Sequence, residues 1–277
     1  MLQVRLNPGL PGGRWAYIRP LRGHDEQLVG AGATAATELL DRLLVEEPDT
    51  TVGPGRAFDL AICDRDRLLA AVYAASFGDR IESEIPCLQC DEGAEVNFSL
   101  SALVASLEVD DAARAEVGVR HGPDHDGVYQ LDDGTRFRLP TGVDQRAVFG
   151  QPPGQARVAL LRRCLLGDDR DGRTVSDLDE QTLARVEAAM ERVGPTVDHT
   201  FSVGCQECGA EREVRFDIQH FLLRALDHER RYLVREIHYL AATYGWGLEP
   251  ILGLSRDDRR AFVRLIVADR GARHRSA

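Results

Sequence analysis

Four cysteines carry the clearest chemistry in this sequence. They form two C-x-x-C pairs, Cys87 with Cys90 and Cys205 with Cys208. Zinc takes four ligands in a tetrahedron, and thiolates suit it. One C-x-x-C turn presents two sulfurs to one side of an ion, so a second equivalent turn is needed to close the shell. The spacing therefore predicts a structural Zn2+ site with Cys87, Cys90, Cys205 and Cys208 as ligands. The 114 residues between Cys90 and Cys205 form an excursion that starts and ends at the metal. Loop-closure cost grows only logarithmically with length, so the excursion is permitted.

The surroundings of the two pairs repeat at an offset of 118 residues. Glu95-Val96 matches Glu213-Val214, Phe98 matches Phe216, Leu100 matches Ile218, and Ile85 matches Val203. Each copy reads helix, strand, C-x-x-C, strand, helix. The expected fold is α+β: a pseudo-twofold zinc-ribbon core built from two such repeats, with an inserted segment and a helical C-terminus. Two other uses of the thiols stay open, a site that has lost its metal and redox chemistry. A redox C-x-x-C belongs at a helix N-terminus, where the thiol pKa falls; both pairs here lie between predicted strands. Four sulfur ligands also leave zinc no open position for a water, which argues against metal catalysis.

The elements that must position these cysteines follow from periodicity and turn signals. Residues 1–57 form an N-terminal segment, with a strand over Trp15–Arg19 and a helix over about Thr34–Val45. Residues 58–109 form the first ribbon half. Its helix is predicted over about Arg65–Phe77, capped by Asp64 and ended by Gly78. Strands through Ile81, Ser83 and Ile85 and through Val96 and Phe98 follow. Residues 110–177 read as an inserted hairpin and helix, with Asp132-Asp133-Gly134 as the turn. Residues 178–216 form the second half, opened by a helix over Leu178–Val193. Residues 217–277 are helical, with Ser255 as a cap; the polar run Asp227–Arg231 leaves open whether the long helix is broken.

Composition bounds the function classes. The chain has 277 residues, a net charge of −11, and 34 basic residues that are all arginine. An overall negative field opposes binding to free DNA or RNA. No uninterrupted apolar run reaches the ~18 residues of a membrane span, and the N-terminus lacks a secretory h-region. The chain is expected in the cytoplasm, or carried from there into a larger particle. It has no phosphate-binding glycine loop, no G-x-S-x-G and no H-E-x-x-H, so it reads as a non-enzyme. Cys63 and Cys164 read as buried free thiols. Asp168, Asp169 and Asp171 are too irregular for a calcium loop.

The stretch Phe58–Cys90 reads FDLAICDRDRLLAAVYAASFGDRIESEIPCLQC. It resembles the baseplate hub assembly proteins of T-even-like contractile phage tails and their relatives in bacterial contractile injection systems. In those proteins a D-R-D-x-L-L helix leads through F-G-D-R into a C-x-x-C knuckle. The phrase FRLPTG at Phe137–Gly142 and the C-terminal run with Glu236, Ile237, Leu240, Tyr244, Gly245 and Trp246 share the likeness. The resemblance implies a non-enzymatic structural or assembly component of a baseplate, possessing no catalytic residues, whose partners are other baseplate or tail proteins. It would be incorporated into a phage-tail-like particle or act during its assembly.

Two rival readings remain at this stage. A nucleic-acid-binding or adaptor zinc ribbon would place arginines such as Arg212 and Arg215 beside the knuckles, but Glu207, Glu211 and Glu213 surround them. A metal-dependent enzyme would use His121, Asp124, His125 and Asp126, which read more simply as a turn. His199, His220 and His228 are the nearest histidines that an altered site could recruit.

Overall fold

A computed structural model describes the chain except residues 28, 29, 31, 49, 91, 168–178, 276 and 277. In chain order it begins with β1 (Leu2–Leu10), β2 (Gly13–Ile18), α1 (Gly23–Gln27), α2 (Ala35–Leu43) and β3 (Leu44–Val45). Next come α3 (Ile62–Phe77), β4 (Arg80–Pro86), β5 (Gly93–Ser99) and α4 (Leu100–Ser106). The middle of the chain holds α5 (Asp111–Glu116), β6 (Val119–His121), β7 (Val128–Leu131), β8 (Arg136–Arg138), α6 (Gly142–Val148), α7 (Pro153–Cys164), β9 (Leu165–Leu166) and α8 (Glu180–Val193). The last elements are β10 (Asp198–Gly204), β11 (Glu211–Asp217), α9 (Ile218–Tyr244), α10 (Leu248–Gly253) and α11 (Arg256–Arg275). The architecture is α+β. The strands form antiparallel sheets ordered β1-β2-β3 and β6-β7-β8-β9, and two separate hairpins, β4-β5 and β10-β11.

Three apolar cores divide these elements. The first joins β1, β2, α2, α3, the base of both hairpins and the first half of α9, through Leu6, Leu40, Leu68, Ile81, Phe216 and Leu222 among others. The second gathers the middle sheet with α7 and α8, around Tyr129, Phe137, Leu161, Leu183 and Val186. The third is small: Leu240, Ile251 and Ile266 hold the end of α9 against α10 and α11. The stretch 178–216 is thus shared between cores. Its helix α8 turns Leu183, Val186, Ala189, Met190 and Val193 toward the second core, while β11 brings Phe216 to the first.

Helix α3 is the axis of the first core, and its opening D-R-D-R is buried. Asp64, Arg65, Asp66 and Arg67 are each no more than 6% exposed. Buried charges need partners, and these have them. Asp64 accepts hydrogen bonds from the backbone N–H groups of Asn7 (2.5 Å) and Gly9 (2.7 Å). Arg67 donates to Asn7 O (3.2 Å) and pairs with Asp64. Arg65 pairs with Asp66 and reaches Gln145 Oε1 at 2.7 Å. Burial pushes the Asp66 carboxyl up to about 6, against the opposing pull of Arg65.

Several sequence expectations change here. Helix α3 starts three residues earlier than predicted, with Ala61 at its N-cap, so Asp64 is no cap but a clamp on the N-terminal strand. That strand, β1, was not foreseen; only its partner was. Asp227–Arg231 does not interrupt α9, which runs unbroken for 27 residues. The acidic run at Asp168, Asp169 and Asp171 lies outside the described residues. No helix among the described residues is long and apolar enough to cross a membrane.

Candidate metal centre

The two cysteine pairs sit at the tips of hairpins built to the same plan. In the first ladder Arg80 pairs with Ser99 and Pro86 with Gly93; in the second Asp198 pairs with Asp217 and Gly204 with Glu211. Adding 118 to every number of the first ladder reproduces the second. The turn hydrogen bonds repeat as well. Cys87 N–H donates to Glu92 O at 2.7 Å, and Cys205 N–H to Ala210 O at 2.9 Å. Each hairpin ends in a residue whose side chain caps the following helix: Ser99 accepts from Ala102 N–H, Asp217 from Gln219 N–H. The next residue, Leu100 or Ile218, is buried in the first core.

The tips converge. The four Sγ atoms of Cys87, Cys90, Cys205 and Cys208 all lie within 4.8 Å of one another. Cys87 Sγ is 3.6 Å from Cys208 Sγ, and Cys90 Sγ is 3.6 Å from Cys205 Sγ. These are no disulfides, which need about 2.05 Å. Four sulfurs at about 2.3 Å from a tetrahedral zinc would stand about 3.8 Å apart, so the donor set fits that ion in number, type and spacing. Burial alternates identically: Cys87 and Cys205 are buried, Cys90 and Cys208 exposed. A cation held here would be enclosed on one side and reachable on the other.

Local electrostatics separate the thiols. Backbone N–H groups of Gln89 and Cys90 draw the Cys87 thiol down to about 7. At Cys90 a backbone bond at Glu92 works the same way, but desolvation and the neighbouring sulfurs push it up to about 12. At Cys208 a backbone bond at Ala210 lowers the thiol pKa, and the Cys87 sulfur leads the opposing effects that raise it overall. Four sulfurs this close cannot all carry charge unless a cation lies among them.

Behind the sulfurs, rings fix the angle between hairpins. Phe98 of β5 meets Phe216 of β11 edge-on at 5.1 Å and Phe201 of β10 at 4.8 Å. Phe221 continues the row to Tyr73 of α3. Arg212 adds a polar tie by donating to Pro86 O at 3.2 Å across the tips. Sequence reading paired Phe98 with Phe216 as repeat partners but did not bring them into contact. Arg212 was weighed there only as an arginine beside the knuckles with glutamates around it; nothing in the spacing marks a side chain that bonds a carbonyl on another hairpin.

The other candidates do not gather. Among the described residues the four cysteines are the one group of three or more His, Cys, Asp or Glu side chains whose ligand atoms converge. Asp124 accepts from the backbone N–H groups of Asp126 and Val128 at 2.9 Å, and exposed His125 leans on Asp126. This is the turn that leads into β7, with His121 apart from it. His199 packs on Phe201, and His228 lies beside Arg231. Cys63 and Cys164 are buried in the second core, where desolvation raises both thiols, Cys164 to about 12. No protein-family model, curated protein or solved structure matches the chain.

Proposed function

We propose that the chain is a non-enzymatic structural or assembly component of a contractile-tail or injection-system baseplate, organised around a structural zinc ribbon. The zinc reading rests on one observation: four convergent thiols delivered by two hairpins of equal register. The cross pairs are reciprocal. The first cysteine of each knuckle meets the second of the other, as in contacts across a twofold axis, which supports a pseudo-twofold ribbon. Four sulfur donors fill the shell of the ion, whose service is then to staple, not to activate water.

The baseplate reading rests on the likeness of Phe58–Cys90 and of the FRLPTG and C-terminal stretches. In both of the first two stretches the shared phrases lie at seams: D-R-D-R clamps β1 and α6 onto α3, and FRLPTG turns β8 into α6. The nucleic-acid alternative loses its arginines: Arg212 is engaged by Pro86 O and Arg215 by Asp198. Elemental analysis of the purified protein should find close to one zinc per chain, and Cys87→Ser or Cys205→Ser should abolish it. Affinity purification from the native host should recover sheath, tube or baseplate proteins. Copurification of none of them would remove the baseplate reading and leave the zinc reading standing.

A further inference from the structure

Helix α9 presents a row of arginines and histidines to solvent. His220, Arg224, His228, Arg231, Arg235 and His238 are all exposed. Their spacing of four, four, three, four and three residues puts them within an arc of roughly 80° and along roughly 27 Å of one helix face. The opposite face carries Leu222 and Leu226 into the first core and Leu240 into the third, with Leu233 buried between them, which fixes the row outward.

Several arginines elsewhere on the helices pair with carboxylates, although Arg42, Arg162 and Arg264 stand exposed without one among the described residues. Arg157 bonds Glu180 and Glu187, Arg192 bonds Glu116, and Arg259 lies buried between Glu26 and Glu236. On this face none of the three arginines has a carboxylate partner among the described residues. Arg231 turns instead to His228 Nε2 (2.8 Å) and Tyr232 Oη (3.1 Å). Asp227 sits between Arg224 and Arg231 and bridges neither. A chain of net charge −11 thus keeps a straight line of unneutralised arginines on its longest helix.

We infer that this face of α9 is a docking surface for an acidic amphipathic helix of a partner protein. Charge complementarity selects the class. Arginines two turns and one turn apart along a helix match carboxylates at the same spacing along another, and such complementarity sets orientation and encounter rate. A nucleic-acid duplex fits less well, because its dense phosphate field would meet the negative field of the remaining molecule. The inference names the partner chemistry for the assembly component proposed above and rests on that reading.

The test uses the full zinc-loaded chain and a labelled 21-residue helical peptide with glutamates on one face and alanines elsewhere, followed by fluorescence anisotropy at low salt. The triple variant R224E/R231E/R235E should bind about tenfold or more weakly, while R5E/R14E/R120E, with the same charge change on exposed arginines elsewhere, should lose less than about threefold. Circular dichroism and zinc content of both variants should equal those of the parent. Equal loss in the two variants, or tighter binding of a 20-base-pair DNA duplex than of the peptide, would overturn the inference. If the peptide result holds but the parent chain recovers no tail protein from its host, the surface stands and the baseplate reading falls. If tail proteins are recovered equally by parent and R224E/R231E/R235E, the docking inference falls alone.

Discussion

Asp64 holds the N-terminal strand onto the central helix by accepting the N–H groups of Asn7 and Gly9, in the stretch of β1 where the ladder to β2 breaks register. Backbone donors that lose their strand partner need another acceptor when buried, and this carboxylate supplies it. Removing one member of a buried charge network is costly, so Asp64→Ala should lower unfolding free energy by about 3–5 kcal/mol in urea titration. Asp144 acts differently. Burial works against its charge, yet bonds from Arg138 and from Thr141 N–H hold its carboxyl down at about 2. Its folded pKa is below the unfolded value of about 3.9, so its contribution is present above that value and is lost as pH falls toward 2. The melting temperature of the parent should therefore drop more steeply than that of Asp144→Asn between pH 4 and pH 2. The convergence of the four cysteines was legible from sequence because their type and spacing name the chemistry by themselves. Asp64 was not, since its partners are backbone groups 57 and 55 residues away.

Strands of two or three residues, such as β3, β6 and β9, are too short to show alternation, and they escaped sequence reading. Strand β1 does alternate, with Leu2, Val4, Leu6, Pro8 and Leu10 turned inward, but Pro8 and Gly9 read as a loop. Gly9 has φ of +76°, and a Cβ there would come 2.4 Å from Gly13 O, so the position requires glycine. The hairpins were readable because their repeat carries the same alternation twice. Helix α9 was ambiguous for a physical reason: a solvent-facing run of charges looks the same in a helix as in a loop. Leu226 and Leu233 continue the buried stripe across it. Proline at Asp227 would remove a helix hydrogen bond and clash with the preceding turn, at about 3 kcal/mol or more. Limited proteolysis of Asp227→Pro should open a new cleavage site near Arg230, where the parent chain resists.

The third core has few fully buried apolar residues, and buried charge supplements it. Arg259, 0% exposed, joins Glu236 of α9 to Glu26 of α1, while Arg256 lies over the Phe77 ring. Removing either partner of such a pair is costly, because it leaves a buried charge without compensation. The cysteine cluster joins the tips of two hairpins that form separate sheets. Stripping metal with a chelator should raise amide exchange in 80–99 and 198–217, while the sheet and helices of the second core stay protected, read by mass spectrometry. Leu107, where the chain departs from the first core, and Pro195, where it comes back, line a single cleft. Entrance and exit lie side by side, so the segment between them closes on its own starting point, and it is seated there on α3 by Arg65 against Gln145 and by Ala61 and Cys63 in the second core: excising it would strip the central helix of one whole flank.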